Sequence, residues 1–162
     1  MKKRPFLPRF YKQRVLKKPI GQLLFENNII SQEELDKCLA IQKCKEKSHQ
    51  KELLGEILIR LGFATEEQVI NAVAAQYGIP YIPLDNFKAD LKVIKAVPAN
   101  LVYKYIIFPL DIMDDILTIA ISDVPKAETI SALRTSLSMD IAVFLTAPAH
   151  LRNIIAKYYP NK

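Results

Sequence analysis

GQLLFENNIISQEELDKCLAIQ, residues 21–42, and GEILIRLGFATEEQVINAVAAQ, residues 55–76, are two copies of one plan. Set 34 residues apart, they coincide at Gly21/Gly55, Leu24/Leu58, Glu33/Glu67, Ala40/Ala74 and Gln42/Gln76. Most other positions are conservative exchanges, which identifies an internal repeat. A short apolar helix is expected over Ile20 to Asn27 and again over Leu54 to Leu61. Each should end in a left-handed residue, Asn28 in the first copy and Gly62 in the second, because these two residue types tolerate that conformation best. Ser31 with Glu34, and Thr65 with Gln68, then form capping boxes that start a second helix. Its apolar positions recur at helical spacing: Leu35, Cys38, Leu39 and Gln42, then Val69, Ala72, Val73 and Gln76. Each copy is therefore a helix–turn–helix pair. Lys43 to Lys51 reads as a polar extension of the first long helix plus a loop.

Beyond Tyr77 the pattern changes. Gly78-Ile-Pro80 closes the second repeat, and Tyr81 to Leu84 reads as a short strand. Leu91 to Ala96 and Pro98 to Tyr105 read as short helices, with Pro98 in a first turn. Ile106 to Met113 and Ile116 to Ser122 are β-rich runs joined across Asp114-Asp115 as a hairpin. Lys126 to Leu137 is helical, Asp140 to Leu145 a strand, and Pro148 to Tyr159 a closing helix. The fold class is α+β. Residues 1–18 form a basic arm, 19–78 a helical tandem-repeat subdomain, and 79–162 a small sheet subdomain with helices.

Half of the 162 residues are hydrophobic and a quarter are charged, which suits a folded core rather than a disordered chain. No apolar stretch reaches the ~20 residues of a membrane span, and the basic N-terminus lacks the apolar segment of a secretory signal. A cytoplasmic protein is expected, with peripheral membrane contact an option. Lys2, Lys3, Arg4, Arg9, Lys12, Arg14, Lys17 and Lys18 precede any acid, so the net charge of +6 resides in the arm. Such an arm is either a solvated leader or a contact with anionic lipid, nucleic acid or an acidic surface. The interleaved Phe6, Leu7, Phe10 and Tyr11 favour contact.

Catalytic signatures are absent from the sequence. The four glycines, Gly21, Gly55, Gly62 and Gly78, build neither a phosphate-binding P-loop nor a dinucleotide fingerprint. Cys38 and Cys44 match no zinc or redox spacing and read as two reduced thiols, and His49 and His150 lie far apart, so no metal is expected. The clustered Asp111, Asp114 and Asp115 suit an exposed turn. Helix–turn–helix pairs raise the question of DNA. However, Glu33, Glu34, Asp36, Glu66 and Glu67 place negative charge at the ends that would enter a groove, so sequence-specific DNA binding is not expected.

The doubled motif followed by Tyr77-Gly-Ile-Pro-Tyr-Ile-Pro-Leu84 resembles the N-terminal, MshEN-type domain of type II secretion and type IV pilus assembly ATPases. Val97-Pro98, Ile107-Phe108-Pro-Leu110, Leu117-Thr-Ile-Ala-Ile121, Ser122-Asp-Val-Pro125 and Tyr158-Tyr159 follow in the family's order. The resemblance spans residues 19–159. It implies a non-catalytic docking and regulatory domain that engages an inner-membrane platform protein, with an ATPase core in cis or in trans. The alternative it implies is a receptor for cyclic di-GMP, bound across the two repeats. The corresponding positions here are Ile20, Gly21, Leu24, Asn28, Leu39, Gln42, Leu54, Gly55, Leu58, Gly62, Val73 and Gln76. No other cofactor is implied. The sequence departs from the binders at one point in each copy. Their Arg-Leu-Gly is Pro19-Ile20-Gly21 in the first copy and Leu53-Leu54-Gly55 in the second. An arginine stacks on a base and pairs with phosphate, and neither Pro nor Leu does.

Overall fold

A computed structural model describes residues 18–47 and 52–160. The basic arm, apart from Lys18, and the end of the Lys-rich loop lie outside the described residues. The helical half comprises α1 (Ile20–Glu26), α2 (Gln32–Lys47), α3 (Leu54–Arg60) and α4 (Glu66–Tyr77). The local signals operate as expected. Asn28 and Gly62 are left-handed, at φ 55 and 74. The Ser31 hydroxyl accepts from the Glu34 N–H at 3.2 Å while Glu34 accepts from the Ser31 N–H at 2.7 Å. Thr65 and Gln68 make the same reciprocal pair at 3.1 and 2.9 Å. These bonds satisfy helix-end donors that would otherwise have no partner.

The other half comprises α5 (Leu91–Ala96), α6 (Ala99–Tyr105), β1 (Phe108–Met113), β2 (Ile116–Ile121), α7 (Ala127–Leu137), β3 (Asp140–Leu145) and α8 (Pro148–Tyr158). The sheet order is β1-β2-β3. The first pair is an antiparallel hairpin turning at Asp114 (φ 54), and the second is parallel. A parallel pair needs a crossover, which α7 supplies. The architecture is α+β, helices with one small sheet.

Three expectations need correction. Tyr81 to Leu84 is not a strand. It contributes one bridge, Tyr81 to Leu145, flanked by bonds from Leu145 N–H to Pro80 O and from Ile82 N–H to Leu145 O, both 2.8 Å. The ladder stops there because its partner β3 ends at Leu145 and the chain turns into α8 from the N-cap Ala147. The first hairpin strand starts at Phe108 rather than Ile106, because Ile106 is a left-handed residue (φ 50) that closes α6. Pro98 is the N-cap of α6 rather than a residue of its first turn.

Two hydrophobic clusters hold the chain together. One, built by the repeats, centres on Leu24, Cys38, Ile57 and Leu58, all fully buried. The other lies under the sheet and centres on Phe108, Leu117, Ile119, Leu133, Ile141 and Leu145. Helix α4 belongs to both. Val69 and Ala72 pack into the repeat cluster, and Ile70, Val73 and Ala74 into the sheet cluster. A helix apolar on two faces is expected to be covered on both.

Candidate functional site

The repeats do not stack as two separate hairpins. Helix α1 packs chiefly on α4, and α2 on α3, so the first helix of each copy lies against the second helix of the other. Glycine permits the close approach at the centre. A Cβ on Gly21 would stand 2.6 Å from Leu35 Cδ1 and 2.9 Å from Leu54 Cδ2, and one on Gly55 would stand 2.8 Å from Val69 Cγ1. Leu35 and Val69 occupy equivalent places in the two copies, so the two glycines serve the same contact twice.

The conserved-in-repeat glutamines have reciprocal partners. Gln42 Nε2 donates to the carbonyl of Glu52 at 3.2 Å, and Gln76 Nε2 donates to the carbonyl of Lys18 at 3.1 Å. Each glutamine thus clasps the backbone just before the other copy's first helix, and each acceptor lies 34 residues from its counterpart. A net hydrogen bond contributes ~0.5–1.5 kcal/mol. Gln42→Ala and Gln76→Ala should therefore each lower stability by ~1 kcal/mol in urea denaturation without ligand, and by roughly the sum together. Unchanged midpoints would mean that these glutamines serve only a ligand.

The same offset relates two ion pairs of opposite polarity. Lys18 Nζ meets Glu26 at 2.8 Å, and Arg60 Nε meets Glu52 at 3.0 Å. Lys45 also pairs with Glu52. The bond from Lys18, then that from Gln22, holds the Glu26 carboxyl below its ordinary range, and those from Arg60 and Lys45 do the same for Glu52. The charge-swapped pairing was missed in the sequence, although extending the 34-residue register upstream of the glycines would have exposed it.

The positions that the resemblance assigns to cyclic di-GMP divide three ways. Leu24, Leu58, Gly21 and Leu54 are buried in the repeat cluster, with Ile20 and Leu39 half-buried against it. Val73, the counterpart of Leu39, packs instead against the sheet cluster. Asn28 and Gly62 are exposed, Gly55 is half-buried, and Gln42 and Gln76 are half-buried in their clasps. At the motif arginine places, Pro19 and Leu53 are the N-caps of α1 and α3, and Leu53 is 62% exposed. Burial raises the pKa of the Cys38 thiol. Among the described residues no group of three metal-ligating side chains occurs, and no helix is long and apolar enough to cross a membrane.

The acidic start of α4 has a structural use. Glu66 accepts from the Ala149 N–H at 3.2 Å, capping α8, whose own N-cap Ala147 provides no side-chain bond. Tyr81 Oη donates to Glu67 at 3.1 Å, and burial followed by this carboxylate pushes the phenol up to about 12. The repeats are thereby fastened to the sheet by hydrogen bonds as well as by the apolar faces of α4.

The fold and this doubled, reciprocal helix pairing define a repeat-plus-sheet module. The chain belongs to the MshEN domain family, whose model matches residues 77–162. Over 143 residues it is 26% identical to the type IV pilus assembly ATPase PilB of Myxococcus xanthus, covering 88% of this chain and 24% of that protein. Over 145 residues it is 23% identical to bacteriophage adsorption protein B of Escherichia coli K12, covering 90% of this chain and 19% of that protein. The chain thus spans a quarter or less of these relatives. Among solved structures, MshE with cdg (cyclic di-GMP) is similar at a TM-score of 0.70 and 28% identity, over 88% of this chain and all of that one. The N-terminal domain of XpsE shares the fold at a TM-score of 0.57 and 16% identity, over 91% of this chain and 98% of that one.

Proposed function

We propose that this chain is a non-catalytic docking and regulatory domain of a type II secretion or type IV pilus assembly ATPase system. Its partner in this reading is the cytoplasmic part of an inner-membrane platform protein, which it meets at the cytoplasmic face of the membrane. The supporting observation is family membership together with similarity to a PilB segment that makes up only 24% of that ATPase. The absence of a P-loop from all 162 residues agrees with a role that leaves nucleotide hydrolysis to another domain. A similar stretch in bacteriophage adsorption protein B fits a transferable module. Residues 1–18, 19–78 and 79–162 are its arm, repeat and sheet parts in this proposal.

Titrating the full chain against the purified cytoplasmic part of the platform protein tests the reading. Saturable binding is expected, and none at tens of micromolar would sink it. ATP hydrolysis that co-purifies with the chain through successive columns would remove its non-catalytic part.

A second reading, a cyclic di-GMP receptor, is favoured by the similarity to MshE with cdg. It faces the loss of both motif arginines at Pro19 and Leu53. Calorimetry against the dinucleotide separates the readings, because docking requires no heat in that titration.

A further inference from the structure

The sheet half is polarised along β1. At the far end of the strand, the hairpin tip, residues 111–116, carries Asp111, Asp114 and Asp115 and no base. Its tip presents Met113, 68% exposed. At the near end, α5, α6 and α8 converge on Tyr159, whose hydroxyl donates to the Ile94 carbonyl at 2.9 Å and whose own carbonyl accepts from Tyr103. These helices and their flanks carry Lys88, Lys92, Lys95, Lys104, Arg152 and Lys157 against Asp90, and Asp123 shares a cavity lining with Lys104 and Ile106 at this end. Here lies an apolar groove of about 460 Å³ walled by Tyr103, Ile106, Arg152, Ile155, Ala156 and Pro160. Among the described residues, neither Arg152 nor Asp111, Asp114 or Asp115 makes an ion pair.

Ile106 adds an independent observation. It is 57% exposed and left-handed, at φ 50. A β-branched residue is strained there, where Asn or Gly would be at ease. Burial does not offset that strain, because the side chain is largely exposed. Strain of this kind is characteristic of binding surfaces.

We propose that the groove receives the hairpin tip of a second copy of this chain, with Met113 between Ile106 and Ile155 and the hairpin aspartates facing Arg152. The knob and the groove are complementary in charge and polarity. They lie at opposite ends of a six-residue strand, ~17 Å apart at the usual rise per residue, so one molecule cannot satisfy its own groove. The contact is therefore head-to-tail, which builds rings or open filaments rather than a closed symmetric pair.

Sedimentation velocity of the full chain across a concentration series tests this. Self-association that weakens with salt is expected. Met113→Asp and Ile106→Asn should each reduce the association constant at least about tenfold. Ile106→Asn should leave the melting temperature unchanged or raised, which separates lost contact from lost fold. Mixing the two variants should restore a heterodimer and nothing larger, because the intact hairpin of one fits the intact groove of the other. Wild-type protein that stays monomeric to about 1 mM at low salt would overturn the proposal. So would association that both variants retain, or a monomer whose Arg152 face binds anionic vesicles instead.

Discussion

Truncating Phe108 to alanine should lower stability by ~3–5 kcal/mol, the usual range for a buried aromatic. Phe108 is fully buried at the first residue of β1. Its ring meets Phe87 edge-on at 6.2 Å, Tyr158 at 5.7 Å and Tyr159 at 6.4 Å. Such aromatic pairs contribute ~0.5–1.5 kcal/mol each beyond burial. The residue also ties together distant parts of the chain, from the segment before α5 to the end of α8. The loss would be a large share of the ~5–15 kcal/mol that stabilises an ordinary domain. Every tyrosine except Tyr11 lies at residue 77 or later, and the chain has no tryptophan. Tyrosine fluorescence in urea therefore reports chiefly the sheet half, with Tyr77 at the end of α4 as the exception. Because α4 is packed into both clusters, amide exchange in α1 to α3 should accelerate in the same variant. A change below ~1 kcal/mol would remove Phe108 from the centre of the core. Normal exchange in the repeats would show that α4 does not couple the two clusters.

That coupling is the feature least visible in the sequence. The repeat itself was legible because its punctuation is local: Asn28 and Gly62 end helices, and Ser31 and Thr65 start them, each within a few residues of its partner. The hairpin around Asp114 was legible for the same reason. What the periodicity of 34 could not convey was the exchange of partners, α1 with α4 and α2 with α3. Stacking within each copy satisfies the same apolar pattern, and the crossed arrangement shows only in three dimensions, where α1 packs chiefly on α4 and α2 on α3. Val73 illustrates the limit. Its spacing matches Leu39, yet it packs under the sheet, because α4 also lies against β3 whereas α2 packs on α3 and α1. Glu66 and Glu67, legible only as charges unfavourable to DNA, have their actual use in bonds to Ala149 and Tyr81. The strand expected over Tyr81 to Leu84 had the right side chains, but its partner β3 ends at Leu145, so only one bridge forms.

Of the candidate dinucleotide site, the scaffold positions were legible and their accessibility was not. Leu24 and Leu58 are fully buried, so as the chain stands they shape the repeat core and present no surface to a ligand. The groups that would meet an anion must come from the helix starts, where the family's arginines stand and this chain has Pro19 and Leu53. Both are N-caps on the outside of the fold, so an arginine at either place displaces no core atom. The local charges do not oppose it: Glu26 is engaged by Lys18, and Glu52 by Arg60 and Lys45. The double variant Pro19→Arg/Leu53→Arg should therefore gain affinity for cyclic di-GMP. A charge-assisted hydrogen bond is worth ~1.5–3 kcal/mol, so two new phosphate contacts amount to a gain of at least ~100-fold over the unmodified chain. Calorimetry of the wild type, each single variant and the double variant, at two salt concentrations, measures it, and circular dichroism checks that the helices persist. A folded double variant that produces no heat would end the receptor reading while leaving the docking role intact. A wild type that binds as tightly as the double variant would instead place recognition on groups other than the two helix starts. The intermediate outcome has the most physical content. Gain in the double variant alone would mean that the crossed repeats can hold a dinucleotide once both arginines are supplied.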